Sequence, residues 1–172
     1  MKKKYLNSDN INKFFNINLE KINYSGAAID SRLVLNKNIY FALKGQTNDG
    51  HNFLEEANKK GASLAIVEKI NKKINIPQIK VKNTHKALIQ LAKYYRKKVK
   101  VKILAITGSV GKTSTKDAIA NMLSLKHKTF ASKKSYNNIF GVPLEILNMP
   151  FDSEYGIFEI GMNQKNEIAK LT

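Results

Sequence analysis

Six consecutive residues, Gly108-Ser109-Val110-Gly111-Lys112-Thr113, have the types and spacing to handle phosphate. They follow a short apolar run, Ile103 to Ile106, and lead into a stretch that reads as a helix opening at Lys112. A strand, a glycine-bearing turn from Thr107 to Gly111 and a helix start bring successive backbone N–H groups and a helix N-terminus to one point, where a phosphate chain can be bound. Lys112 supplies a cation suited to β and γ phosphates, and the Thr113 hydroxyl is placed to ligate Mg²⁺. The usual pattern has a glycine where this chain has Ile106, so the match is G-x-x-G-K-T and not the full G-x-x-x-x-G-K-[ST]. A glycine-rich turn that binds nothing is the alternative, and the agreement of strand, turn and helix with the motif argues against it.

A second candidate is Glu159, near the end of an apolar strand-like run from Tyr155 to Ile160. In parallel α/β sheets, ligands gather at the carboxyl ends of the strands. A carboxylate there is positioned to hold the Mg²⁺ that bridges nucleotide phosphates. Asn137 and Asn138 precede Gly141-Val142-Pro143 and serve equally well as turn formers or as groups reaching phosphate or substrate. Further upstream, Asp30-Ser31-Arg32, Lys44-Gly45 and Asp49-Gly50-His51 each follow a strand-like run and offer polar loops for a polar ligand. A lone His51 at a helix start is weak support for catalysis. His85 and His127 have no motif around them and read as surface residues.

The elements needed to position these residues are legible as a rhythm. The first block, residues 1–83, carries a short amphipathic helix after Ser8 and strands at Ala27–Ile29, Asn38–Leu43, Ser63–Val67 and Ile76–Val81. A helical stretch, His51–Lys60, is closed by Gly61. Thr84 is read as capping a helix with Ala87, Leu88, Leu91, Ala92 and Tyr95 on one face. From Val101 strands and helices alternate: Val101–Thr107, Lys112–Leu125, Thr129–Ala131, Val142–Leu147 and Tyr155–Ile160, with a further helix at Asn163–Leu171. Alternation of that kind predicts parallel sheets with helical crossovers, an α/β fold. About three strands fall in the second block, whereas a doubly wound nucleotide-binding sheet has about five or six. The chain is therefore expected to be a fragment or truncated product.

Composition narrows the function classes. At 172 residues with 42% hydrophobic content, one ordinary domain or two small ones can form a core. Cysteine is absent, and the lysines at the start are followed by Asn7-Ser8-Asp9-Asn10 where an export signal needs an apolar region. A cytoplasmic protein without a membrane span is expected. The formal charge of +17 raises nucleic acid as a partner, but all 30 basic residues except Arg32 and Arg96 are lysine, and the pairs are scattered without interleaved aromatics. A solvated lysine surface with no nucleic-acid partner is the better reading.

Four stretches carry a family resemblance: AAIDSRLVLNKNIYFALKGQTNDGHNFLEEANKKGASLAIVE, ILAITGSVGKTSTKDAI, YNNIFGVPLEILNM and FEIGMNQKNEIAKLT. In that order, over nearly the whole chain, they resemble the Mur ligases, ATP-dependent amide-forming enzymes of peptidoglycan synthesis. The NN-x-x-GVP and E-x-GMN-x-x-x-EI segments are most similar to the members that join D-alanyl-D-alanine to a UDP-N-acetylmuramoyl tripeptide. Asn166 departs from the glycine usual before Glu-Ile.

The resemblance implies a small N-terminal α/β substrate domain, 1–83, followed by the first part of a P-loop parallel-sheet ATP-binding domain, 84–172. It implies ATP and Mg²⁺ as cofactors, with Thr107, Gly108, Ser109, Val110, Gly111, Lys112, Thr113 and Ser114 around the nucleotide. Lys112, Asn138 and Glu159 are the expected catalytic residues, with Thr113 and Glu159 holding the metal. Ser31, Arg32, Gly45, Asp49, Gly50 and His51 are expected at the uridine-diphosphate end of the substrate site. The implied reaction runs through an acyl phosphate on the tripeptide carboxylate, attacked by the amine of D-alanyl-D-alanine. The family's carbamylated lysine and C-terminal domain find no counterpart in these residues, so the chain alone is expected to show no turnover. A monomer is expected. The rival readings are a nucleotide- or UDP-sugar-binding module without chemistry and an unrelated P-loop NTPase acting on nucleic acid.

Overall fold

The computed structural model describes residues 6–133 and 136–161. The expected helix at Asn163–Leu171 and most of the FEIGMNQKNEIAKLT segment lie outside them. The chain divides into two compact units, Met1–Tyr94 and Tyr95–Thr172. The expected boundary at 83 and 84 falls earlier, because most of the third long helix packs with the first unit.

The first unit begins with α1, Ser8–Phe15. Its cap is Asn7, whose side chain accepts from the Asn10 N–H, while the expected cap, Ser8, is buried and its hydroxyl oxygen accepts from the Ile22 N–H. Four strands follow: β1 (Gly26–Ala28), β2 (Asn38–Phe41), β3 (Leu64–Val67) and β4 (Gln78–Lys80). They form one parallel sheet in sequential order, β1-β2-β3-β4. Every residue of β1, β2 and β3 is buried, as continuous apolar runs must be in a parallel sheet covered on both faces. Asn38, the polar exception, is satisfied by the Leu35 N–H and the Ser25 hydroxyl. Pro77 precedes β4, which lies at the sheet edge as its missing N–H requires.

The crossover from β2 to β3 is a 3₁₀ turn, Gly50–Phe53, running into α2, Leu54–Lys59. Leu54 and Ala57 of α2 join Tyr40, Ala42, Ala65 and Val67 in the core. Each large side chain so buried stabilises the fold by about 1.5–3 kcal/mol relative to exposure. Helix α3, Thr84–Arg96, buries Ala87, Leu88, Leu91 and Ala92 as its spacing predicts. Thr84 does not cap it: the Asn83 side chain accepts from the Lys86 N–H, while Thr84 N and Oγ1 both donate to Glu68 Oε1.

The second unit alternates β5 (Lys102–Ile106), α4 (Lys112–Ser124), β6 (Thr129–Ala131), α5 (Gly141–Asn148) and β7 (Tyr155–Glu159). The parallel sheet has the order β5-β7-β6, so the last strand inserts between the first two. Its residues Gly156 to Glu159 are buried, whereas β5 is half-buried at best, with Lys102 and Ala105 exposed. Helix α5 starts a residue before the expected Val142. Among the described residues, no helix is long and apolar enough to cross a membrane.

Gly50 sits where no side chain fits. A Cβ built there would lie 2.8 Å from both the backbone N and O of Leu43, and the Gly50 carbonyl also accepts from the buried Tyr40 hydroxyl. Gly50→Ala should therefore lower the unfolding free energy of the first unit by about 1–3 kcal/mol. Urea denaturation followed by far-UV circular dichroism measures the shift.

Candidate functional site

The register of β5 against β7 sets the geometry. Ile106, the last residue of β5, lies opposite Glu159, the last residue of β7, and the Ile160 N–H donates to the Ile106 carbonyl at 2.9 Å. The loop leaving β5 therefore emerges beside the Glu159 side chain. Gly108 and Gly111 in that loop have φ of 152° and 79°. A Cβ at Gly111 would meet nothing within 4 Å, so glycine is required there by conformation and not by crowding.

Gly111 is also the N-cap of α4, and it brings no capping side chain. The helix thus starts without a side-chain acceptor, and its dipole and N–H groups favour an anion. The Lys112 ammonium lies against the loop itself, donating to the carbonyls of Gly108 at 2.8 Å and Ser109 at 3.4 Å. One residue on, the Thr113 hydroxyl donates to Glu159 Oε2 at 2.7 Å. A hydroxyl and a carboxylate in contact beside a phosphate-binding loop are the hard oxygen donors that Mg²⁺ takes, so these residues fit the metal. Among the described residues there is no cluster of three carboxylates or imidazoles able to hold a cation by itself.

Glu159 is 7% exposed and fully engaged. Its Oε1 accepts from Asn137 Nδ2 at 3.0 Å, and its backbone N–H donates to the Ser132 hydroxyl at 3.1 Å. Burial raises its pKa, but hydrogen bonds from Thr113 and Asn137 and the charges of Lys116 and Lys112 outweigh it, leaving the carboxyl below its ordinary 4.5. Of the two asparagines the sequence left open, Asn137 is the one at the carboxylate. The Asn138 amide oxygen instead accepts from the N–H groups of Phe140 and Gly141, capping the start of α5. The expectation of Asn138 comes from the family resemblance, whereas the residues alone leave the pair even. Thr107, Ser109, Val110 and Ser114 lie in or beside the loop and are exposed.

In the first unit the expected substrate residues follow β1 and β2. Ser31 is 4% exposed and its hydroxyl donates to Glu56 Oε2 at 2.7 Å. Arg32 points to solvent and pairs with Asp30 through Nε and NH2, while its carbonyl accepts from Lys60 Nζ. Gly45 lies at an exposed turn closed by its N–H to the Asn48 carbonyl. Asp49 caps the 3₁₀ turn through the His51 N–H and holds His51 Nδ1 at 2.6 Å. His51 Nε2 accepts from the Glu68 N–H at 2.8 Å, so the hydrogen of the neutral ring is on Nδ1. Ser31 and His51 are thus committed to internal partners, leaving Arg32 and the Gly45 turn as the outward-facing groups. Burial, with Asp30, Glu56 and Asp49 nearby, pushes the Tyr40 hydroxyl up to about 12. Sequence reading missed Glu56 and Glu68, acidic residues on or after elements otherwise devoted to the core.

The family model described as Mur ligase family, catalytic domain, matches residues 23–96, and that described as Mur ligase middle domain matches residues 106–172. Together they take in the first unit's sheet and the phosphate loop with its carboxylate. The chain belongs to the Mur ligase family.

This Mur ligase chain is 41% identical over 153 residues to the UDP-N-acetylmuramoyl-tripeptide–D-alanyl-D-alanine ligase of Rickettsia prowazekii, covering 87% of the chain and 33% of that protein. It is 36% identical to the enzyme of the same name from Haemophilus influenzae, covering 91% of the chain and 34% of the relative. A crystal structure of MurF from Acinetobacter baumannii superposes with a TM-score of 0.78 at 34% identity, over 90% of the chain and 34% of that structure. The MurF ligase of Thermotoga maritima in complex with ADP gives 0.71 at 29% identity, over 85% of the chain and 34% of that structure. The Mur ligase chain thus spans about a third of the length of the curated relatives it matches.

Two outcomes test this geometry. Because the Glu159 carboxyl is lowered in the folded chain, its contribution to stability is present above its unfolded pKa and lost as pH falls through the folded one. Glu159→Gln should therefore lose stability relative to wild type at pH 7, and the gap should close in acid, as read from urea midpoints against pH. His51→Ala should destabilise the first unit by about 1–3 kcal/mol by leaving the Glu68 N–H without its acceptor. Thermal unfolding measures that difference.

Proposed function

We infer that this chain is part of an ATP-dependent ligase of the MurF type, which joins D-alanyl-D-alanine to a UDP-N-acetylmuramoyl tripeptide through an acyl-phosphate intermediate. The observation that carries the reading is the Thr113–Glu159 contact at 2.7 Å beside a glycine loop whose lysine is already over its carbonyls. The names of the relatives, at 31–41% identity, support the substrate pair.

The chemistry suits these groups. A carboxylate is a poor acyl donor until one of its oxygens becomes a phosphate leaving group, and phosphoryl transfer needs mainly positioning and charge neutralisation. Lys112 leaves the Gly108 and Ser109 carbonyls for the β and γ phosphates of ATP. The loop N–H groups and the start of α4 orient the phosphate chain. Thr113 and Glu159 would hold Mg²⁺, which would supply charge neutralisation for phosphoryl transfer. Asn137 holds the Glu159 carboxylate in the orientation that presents Oε2 to Thr113. In the first unit, Arg32 after β1 and the Gly45 turn after β2 are the exposed groups for the diphosphate of the sugar nucleotide, in two loops fixed by Ser31 and by Asp49, Gly50 and His51.

Calorimetry separates the two halves of this reading. Lys112→Ala should weaken Mg-ATP binding by about ten- to a hundredfold, the loss expected for charge-assisted bonds, and leave UDP-N-acetylmuramoyl tripeptide binding within twofold. Mg-ATP binding at wild-type strength in that variant would overturn the assignment of the loop.

A further inference from the structure

Beneath the phosphate loop lies a lysine that no part of the reaction above uses. Lys116 is on α4, one turn after Lys112 and three residues after Thr113, yet it is 3% exposed. Burying an ammonium is expensive unless its donors are satisfied by well-placed acceptors. Its Nζ donates to the Ser132 carbonyl at 2.6 Å and pairs with Asp117 Oδ1 at 3.1 Å.

Ser132 is 1% exposed and lies just past β6. Its N–H donates to the Ile157 carbonyl at 2.8 Å, and its hydroxyl accepts from the Glu159 N–H at 3.1 Å. One side chain of α4 therefore grips the backbone of the residue that holds the backbone of Glu159. Thr113, from the same helix, grips the Glu159 carboxylate. The helix that opens at the phosphate loop thus holds Glu159 at its backbone, by way of Ser132, and at its carboxylate, through Thr113.

We propose that Lys116 is a positioning residue for metal binding, acting through Ser132 to hold Glu159 at the Thr113 hydroxyl. It touches neither nucleotide nor cation. A lysine suits this task because its long flexible stem carries a donor from α4 to the Ser132 carbonyl. The proposal rests on the nucleotide-site reading above.

The test is a split between metal and nucleotide affinity. Mn²⁺ binding to the ATP complex is followed by electron paramagnetic resonance, and ATP binding in EDTA by calorimetry, on wild type, Lys116→Met, Ser132→Ala and the double variant. Lys116→Met and Ser132→Ala should each weaken Mn²⁺ by about tenfold while metal-free ATP affinity stays within twofold. The double variant should lose no more than the worse single one, since both act along one path. Should Lys116→Met fail to fold, Ser132→Ala carries the test alone, because it removes one hydroxyl and leaves the carbonyl that Lys116 uses. Unchanged Mn²⁺ affinity in a folded variant, equal loss of metal and nucleotide, or additive losses would overturn the proposal while leaving the nucleotide site intact. Absence of Mn²⁺-dependent ATP binding in wild type would instead sink the nucleotide-site reading, and this proposal with it.

Discussion

The pairing of β5 with β7 governs the second unit. Because β7 is laid down last yet sits between β5 and β6, the strand that carries Glu159 becomes the immediate neighbour of the strand that feeds the phosphate loop. A slip of one residue would turn every side chain of β7 to the opposite face. The acid would then leave the Thr113 hydroxyl, and Phe158, now buried, would take its place at the loop. The buried run Gly156-Ile157-Phe158 guards that register, so core packing and site geometry are one constraint.

A second consequence concerns the lysine of the loop. Its ammonium rests on two backbone carbonyls, so under the proposed function capture of a phosphate chain is an exchange of acceptors and not the filling of an empty seat. The affinity gained is the difference between carbonyl and phosphate as partners. That difference favours multiply charged oxyanions over neutral ligands, because charge-assisted bonds are about twice as strong as neutral ones. The hydrogen bond between Thr113 and Glu159 imposes a similar exchange on any entering cation.

Much of this was legible in the residues. Strands from continuous apolar runs, helices from Ala87-Leu88-Leu91-Ala92 spacing, and the strand, glycine turn and helix of residues 103–124 all follow from local pattern, because local chemistry decides them. Three features did not. The caps of α1 and α3 lie one residue before the expected Ser8 and Thr84, at Asn7 and Asn83, because which side chain takes the free N–H depends on how the chain enters the helix. Ser31 and His51 looked like ligand groups, yet the sheet brings Glu56 and the Glu68 N–H to them from far along the chain. Lys116 and Ser132 had no local signature, since a buried lysine is recognised only once its acceptor has been placed in space.

The two sheets differ in how their margins are finished. In the first, short β4 closes one side with a proline at its start. In the second, β5 bonds to β7 alone among the described strands, and Ala105 faces solvent on it, as do Met122 on α4 and Leu125 just past its end. Lys102 is a deterrent at one end of that rim, its ammonium 5.5 Å above the Tyr155 ring, but the stretch nearer the phosphate loop carries no charge. An uncovered strand of that kind offers a template to any passing backbone. The glycine loop hangs from the same strand, so whatever pairs with this rim also steadies the anchor of the loop.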